Sequence, residues 1–353
     1  MPSPVVLITG ASGKLGHGLT ARLRPTYTVV GADVSEPAAD PELDSVEYLD
    51  VTSGMSVRKA LEAVAERHGV ELAAVVHLAA HGGSMDRDDP AHEDVNVEGT
   101  RRLLTMLSDF RVERFVFAST VLVHAPIGSK ERIAEDSAFG ATSPYARSKL
   151  AAERIIAEHR PRIPYTLLRL ADVYTDYGEQ PTLVRQIQRI VDKDLKRIPS
   201  SGNRGTGQAR VHIDDAVDAL TRAVERRDRL GDGAILIGEP DPIGYADLQD
   251  RIGTLYWGAE WSSRRAPRVM ARAGAWIQEH APGRSVREPD STERANDGYR
   301  LDITRAREML GWAPSRRLSD ELAGILQKLR DYPVAWRRAN GLEESGATES
   351  LGW

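Results

Sequence analysis

The stretch SPYARSKLAAERI, residues 143 to 155, places Tyr145 and Lys149 four residues apart in a segment with helical spacing. Four residues make about one helical turn, so both side chains project from one face. A phenol with a pKa of about 10 is a poor base at neutral pH. A neighbouring ammonium favours the phenolate and brings the group toward a useful range. Upstream, FVFAST sets Ser119 and Thr120 at the end of an apolar run. A hydroxyl there can hold a substrate oxygen while Tyr145 exchanges its proton. Thr120, Tyr145 and Lys149 are the candidate catalytic residues, and the chemistry they suit lies at a secondary alcohol or ketone.

Such chemistry needs a hydride carrier, and the N-terminal stretch has the features of a site for one. In TGASGKLG, Gly10, Gly13 and Gly16 follow the apolar run VVLIT and open a helical pattern. Glycine at these places permits a tight turn, close approach to a pyrophosphate, and close packing of helix on strand. The helix N-terminus adds N–H donors and a positive dipole end. Ser12, Lys14 and Leu15 complete the turn, and Leu15, in place of Ser or Thr, removes the Walker-type alternative. Asp33 ends the next apolar run, near the offset of about 20 residues at which an acid accepts ribose hydroxyls. Its charge would repel a 2′-phosphate, so the expected cofactor is NAD.

The elements must bring these residues together. Residues 5–9, 27–33, 73–79, 114–119 and 165–170 read as strands, and 14–23, 54–68, 92–109 and 144–159 carry helical spacing. Strands that are apolar on both faces, alternating with helices, predict an α/β fold with a Rossmann-type doubly wound parallel sheet. Such a sheet gathers ligands at the carboxyl ends of its strands, where Ser119 and Thr120 stand. Beyond Leu170 come a glycine-rich stretch at 199–210, a helical pattern at 211–227 and an apolar run at 234–238. The expected layout is an NAD-binding domain at 1–170 to which 211–238 returns. A smaller, mixed α/β C-terminal substrate-binding domain takes 171–210 and 239–335, and 336–353 form a tail. A helical stripe at 264–280 reads first as packing on its own domain, with an apolar substrate wall or a membrane-surface helix as the alternatives.

Composition narrows the function classes. The 353 residues are 41% hydrophobic and 28% charged, with a net charge of -5. Those values suit a globular chain and give no reason to expect a nucleic-acid or membrane partner. The absence of cysteine removes disulfides, thiolate metal sites and a thiol nucleophile. His77, His81, His124 and His212 show no metal-ligand spacing, so no metal is expected. No secretory signal and no long apolar run are present, and a cytoplasmic enzyme is the expectation.

The glycine turn, HLAA (77–80), VNVEGT (95–100), Ser119-Thr120 and Tyr145-x-x-x-Lys149 occur in an order that resembles the extended short-chain dehydrogenase/reductases. LRLADVY (168–174), VHIDDAVDAL (211–220) and LDITRAREMLGWAP (301–314) are similar to their NAD-dependent epimerase/dehydratase family. The resemblance implies that Thr120 is the family's catalytic Ser/Thr, with Ser119 beside the cofactor, and that Lys149 binds the nicotinamide ribose. It also implies that Asp50 and Val51 lie near the adenine and that Leu78, Ala79 and Ala80 line the dinucleotide. Asn96 matches the family's structural asparagine and is grouped with the cofactor residues. A homodimer, paired through 92–109 and 144–159, is implied as well.

Several positions depart from the family pattern. Val121 and Leu122 stand where dehydratases carry an acidic pair, which argues against sugar 4,6-dehydration. His124 replaces a usual tyrosine, Asp172 a usual asparagine, and Gln208 an arginine that pairs with a diphosphate. A carboxylate at 172 and a neutral group at 208 both disfavour a diphosphate, and Arg204, Arg210, Arg287 and Arg294 are the candidates to compensate. His81, Thr120, His124, Asp172, Gln208, Arg210 and Arg287 are the candidate substrate contacts. Three functions remain: an epimerase of a sugar or sugar nucleotide, slightly favoured; a dehydrogenase or ketoreductase of another small hydroxylated compound; and an NAD-binding protein without turnover.

Overall fold

The computed structural model describes residues 3–35, 45–82, 87–128, 131–192, 207–258 and 298–342. In chain order the strands begin with β1 (Val5–Thr9), β2 (Thr28–Asp33), β3 (Ser45–Tyr48), β4 (Glu71–Leu72), β5 (Ala74–His77) and β6 (Arg111–Val112). They continue with β7 (Phe115–Thr120), β8 (Tyr165–Leu170), β9 (Asp172–Tyr174), β10 (Arg210–His212) and β11 (Gly233–Ile237). The helices that bear on the site are α1 (Lys14–Leu23), α2 (Gly54–His68), α3 (Gly99–Met106) and α4 (Pro144–Glu158).

Seven strands form one sheet in the order β11-β8-β7-β5-β1-β2-β3, and its pairings are parallel. Successive residues of a strand face opposite sides, yet Val6, Leu7 and Ile8 are all fully buried, because both faces are covered. Leu7, Val75, Phe115, Phe117, Leu103, Leu104, Ile155 and Leu167 belong to one core cluster. Burying each of these large side chains contributes roughly 1.5–3 kcal/mol. The β1–β2 order reverses direction relative to β5 and β7, so the ends of β1, β5 and β7 border the crevice where such sheets bind ligands.

Strand and helix spans expected at 5–9, 165–170, 14–23 and 54–68 are those observed. The helix expected at 92–109 is not regular: a π-helical turn, His92–Glu98, leads into α3, and a 3-10 turn, Leu107–Asp109, ends it. The helix expected from 211 starts at Ile213 instead, because Arg210–His212 is extended and His212 Nδ1 accepts the Asp214 N–H as the cap.

The chain divides into two units, one drawn from Met1–Asp172, Ala209–Pro242 and Gly298–Ser315, the other from Val173–Gln208, Ile243–Asp297 and Arg316–Trp353. Residues 298–315 therefore belong with the sheet rather than with the expected substrate domain. Trp312 Nε1 donates to Asp215 O at 2.9 Å, and the Ser315 N–H and hydroxyl both donate to the Asp215 carboxylate. The second unit has its own core, in which Leu183 and Ile187 meet Ile252, Leu322, Ile325 and Trp336. Trp336 is buried on helix Pro333–Ala339, so the expected tail does not begin at 336. The stripe at 264–280 and most of 199–210 lie outside the described residues. Among the described residues no helix is long and apolar enough to cross a membrane.

Candidate active site

The glycine turn is built around contacts that side chains would obstruct. Gly10 has φ +72°, and a Cβ there would stand 2.7 Å from Ala79 N and 2.9 Å from Leu78 C. A Cβ on Gly16 would stand 2.4 Å from Gly10 O. These glycines let the turn lie against the end of β5 and let α1 start directly under it. Gly13 caps α1 without a side chain, and no acidic residue occupies the first turn, which preserves the positive end of the helix. The Asp33 carboxylate reaches this turn, accepting Ser12 N–H at 3.0 Å and Ser35 N–H at 3.1 Å. An uncapped helix end, a cradle that Cβ atoms would fill and a carboxylate at the neighbouring strand end fit a dinucleotide. If Asp33 carries the ribose, Asp33→Ala weakens NAD binding by about tenfold or more and narrows the preference over NADP. Fluorescence titration with both nucleotides checks this, and unchanged selectivity would remove Asp33 from the cofactor site.

Beneath the turn, a hydrogen-bond chain joins the ends of β1 and β5 to α3. Ala79 N–H donates to Thr9 Oγ1, which donates to His77 Nδ1 at 2.6 Å. His77 Nε2–H donates to Thr100 Oγ1 at 3.1 Å, and that hydroxyl donates to Asn96 O at 2.7 Å. The direction of the chain fixes the Nε2–H tautomer. Burial, and secondarily the charge of Lys149, lowers the His77 pKa from 6.5 to about 3. Between those values the unfolded chain holds the proton and the folded chain does not, so stability falls as pH drops below about 6.5. The expected slope is about 1.4 kcal/mol per pH unit. Urea unfolding against pH checks it, and His77→Asn is expected to reduce the slope by about one proton.

Asn96 is a clamp. Its Oδ1 accepts His81 N–H at 2.8 Å, and its Nδ2 donates to His81 O and to Ser148 Oγ on α4 at 2.9 Å. Its side-chain amide is thus engaged by the protein, in keeping with the structural role that the resemblance implies for it. His81 Nε2 is held by Asp89 Oδ2 at 2.9 Å, and its ring meets His92, which in turn meets the Tyr145 ring at 6.1 Å. Asp50 Oδ1 accepts the Thr52 N–H and hydroxyl. The Val51 side chain is buried against Gly99, where an added Cβ would stand 2.8 Å from it, so only the Val51 backbone remains for a ligand.

The α4 face carries Tyr145 and Lys149 as the spacing requires, and Ser143 Oγ caps the helix by accepting Ala146 N–H. Lys149 Nζ donates to Ala118 O at 2.8 Å, lies 4.5 Å from the Phe117 ring centroid and 5.9 Å from that of Tyr145. Thr120 Oγ1 accepts Leu122 N–H at 3.2 Å, which leaves its O–H to donate. The expectation that Lys149 holds the phenol below its usual pKa is not met. Burial, and after it the charge of Asp172, pushes Tyr145 up to about 12, while burial brings Lys149 down to about 8. Desolvation of the phenolate outweighs an ammonium that is itself desolvated and bonded elsewhere.

A second correction concerns His124 and Ser119. His124 is fully buried, and its Nε2 accepts Arg169 Nη1–H at 2.9 Å while Nδ1–H donates to Ser137 O at 3.1 Å. Both ring nitrogens are used, so it is a supporting residue and not a substrate contact. Ser119 faces away from Thr120, as alternate strand residues do, and its hydroxyl donates to Glu153 Oε1 at 2.5 Å. Its donor is taken by Glu153, which leaves only the oxygen lone pairs to accept a further hydrogen bond. Glu153 and Arg169, each with a side chain 5% exposed, form a two-bonded ion pair beneath β7 and β8. Neither was expected from the sequence, although Glu153 continues the four-residue spacing of Tyr145 and Lys149, and Arg169 is the lone charge in YTLLRL.

Asp172 is half-buried just past the end of β8, where its N–H donates to Ala209 O at 3.2 Å. Leu170, two residues earlier, pairs with Thr120 in the register. Arg210 is buried on β10, Gln208 belongs to the second unit, and Arg287 lies outside the described residues. Among the described residues no cluster has the make-up of a metal site.

The chain is similar over most of its length to several known proteins. UDP-glucose 4-epimerase of Mycolicibacterium smegmatis is 28% identical over 344 residues, covering 92% of this chain and 98% of that protein. dTDP-glucose 4,6-dehydratase of Streptomyces griseus is 26% identical over 348 residues, covering 94% and 95%. The crystal structure of UDP-glucuronic acid 4-epimerase from Bacillus cereus with UDP-glucuronic acid and NAD has a similar fold. It superposes with a TM-score of 0.66 at 19% identity, over 93% of this chain and 99% of that one. The sequence pattern of one family, matched over residues 6–238, extends from β1 through β11: the chain belongs to the NAD-dependent epimerase/dehydratase family.

Proposed function

We propose that the chain is an epimerase of a sugar nucleotide that keeps its NAD through turnover. The observation that carries this reading is the convergence of the glycine turn, the Thr120 hydroxyl and the Tyr145–Lys149 face at the carboxyl ends of β1 and β7. The relatives named for UDP-glucose 4-epimerisation support the substrate class. In this reading Gly10, Gly13, Gly16 and Asp33 hold the adenosine and pyrophosphate, and Lys149 holds the nicotinamide ribose. Bound NAD would supply the hydride acceptor for oxidation of the carbinol and, once reduced, the hydride donor for reduction of the ketone. Thr120 donates a hydrogen bond to the reacting oxygen, and Tyr145 removes the hydroxyl proton and gives it back.

The raised phenol sets the pH behaviour. Oxidation needs phenolate, and below a pKa of about 12 its fraction grows tenfold per pH unit, so NAD reduction accelerates with rising pH. Asp172→Asn removes a charge that raises this pKa and is expected to speed reduction at pH 7 by roughly threefold to tenfold. Stopped-flow absorbance of the reduced cofactor checks both statements. No change on substitution would show that Asp172 does not act on Tyr145.

Nucleotide released from the purified protein by denaturation, together with assay of UDP-glucose, tests the function. Stoichiometric NAD and formation of the C4 epimer without accumulating NADH support an epimerase. NADH appearing in step with consumed substrate replaces that reading with a dehydrogenase, which the charge of Asp172 favours by disfavouring a diphosphate nearby. Dehydration is not expected, because apolar Val121 and Leu122 follow Thr120 and offer no second acid or base. Formation of a 4-keto-6-deoxy product from dTDP-glucose would overturn that exclusion. The homodimer implied by the resemblance would form through α3 and α4; sedimentation as a monomer at micromolar concentration counts against it.

A further inference from the structure

Glu153 belongs to neither the cofactor turn nor the proton-transfer pair, yet it is buried on the same face of α4, two turns past Tyr145 and one past Lys149. Lys149 and Glu153 grip consecutive residues of β7. Lys149 Nζ donates to Ala118 O at 2.8 Å, and Glu153 Oε1 accepts the Ser119 hydroxyl at 2.5 Å. Thr120 is the next residue. Arg169 compensates the buried carboxylate through bonds of 3.0 and 2.7 Å, and it stands opposite Ser119 in the β7–β8 register. A pair serving stability alone has no need to touch the residue before Thr120 or to face Lys149 along the helix.

We infer that Glu153 is a positioning residue: it registers the Tyr145–Lys149 face of α4 against the Ala118–Ser119–Thr120 end of β7, and its charge fixes the electrostatic setting of Lys149. Its bearing on catalysis rests on the function proposed above, whereas its bearing on Lys149 does not. The negative charge opposes the effect of burial on the ammonium. The other titratable or charged groups around this pair are Tyr145 on α4, His77 on β5, His124 after β7, Tyr165 and Arg169 on β8 and Asp172 beyond it.

Lysine side chains labelled at Cε allow Lys149 to be titrated by NMR in the full chain, its resonance assigned by its loss in Lys149→Met. The wild-type midpoint is expected at about 8. Glu153→Gln keeps the shape and removes the charge, so the midpoint falls by about one unit, a roughly tenfold loss of ammonium above it. Should that variant fail to fold with Arg169 unpaired, Glu153→Gln with Arg169→Met replaces the whole ion pair and is expected to fold; because the Arg169 cation leaves with the carboxylate, the fall there is expected to be smaller, about a few tenths of a unit. An unchanged midpoint in whichever variant folds overturns the proposal. A wild-type chain that turns over no sugar nucleotide would end the functional reading and leave the titration to decide the role of Glu153.

Discussion

Tyr145→Phe is expected to slow reduction of bound NAD by about 10²–10⁴-fold, the range that a positioned proton-transfer group supplies, with little change in the unfolding midpoint. The two effects separate because the phenol hydroxyl makes no hydrogen bond with the described residues, so removing it strands no buried partner. The ring contacts with His92 at 6.1 Å and Lys149 at 5.9 Å survive in phenylalanine. Single-turnover absorbance of the cofactor and thermal unfolding, measured on the same preparation, check both parts. A variant that reduces NAD at the wild-type rate would remove Tyr145 from the chemistry. It would leave binding of NAD without turnover as the better account of the geometry of the turn.

Arg169→Met should be the most destabilising of these substitutions, at about 3–5 kcal/mol, because it leaves the Glu153 carboxylate buried without its counter-charge. The loss extends beyond the pair. Arg169 also donates to His124 Nε2 and to Glu135 O, so the segment after β7 loses an anchor at the same time. Combining the substitution with Glu153→Gln is expected to restore most of the stability, since a neutral pair of similar volume carries no uncompensated charge. Urea denaturation of wild type, both single variants and the double variant forms a complete cycle. Equal losses in the single and double variants would show that the charge of Glu153 is not what Arg169 balances.

Much of the frame was legible in order along the chain. The runs VVLIT and YTLLRL are continuous in hydrophobicity because a doubly covered strand buries both faces, and the alternation of such runs with helices identifies a parallel sheet. The glycines were legible for a related reason: Gly10 and Gly16 stand where any Cβ would strike backbone, so a local pattern carries a steric requirement. The Tyr145–Lys149 spacing likewise places two side chains on one face by helical geometry alone.

What the sequence left open depends on contacts between residues far apart in the chain. His124 reads as a possible substrate contact until Arg169, 45 residues away, is seen to occupy its Nε2. Ser119 reads as a site hydroxyl until the strand turns it toward Glu153. The π-helical turn at His92–Glu98 and the return of residues 298–315 to the sheet through Asp215 leave no periodic trace. The direction of the Tyr145 pKa is the clearest case. Local spacing supplies the ammonium, but burial depth and the charge of Asp172 are properties of the folded surroundings, and they outweigh it. The sequence by itself determined the elements, the turn and the pair of proton-transfer side chains, since each follows from short-range geometry. Only the tertiary structure decided which polar groups remain for a ligand and how the phenol titrates, because desolvation and hydrogen-bond partners are set by residues that folding brings together.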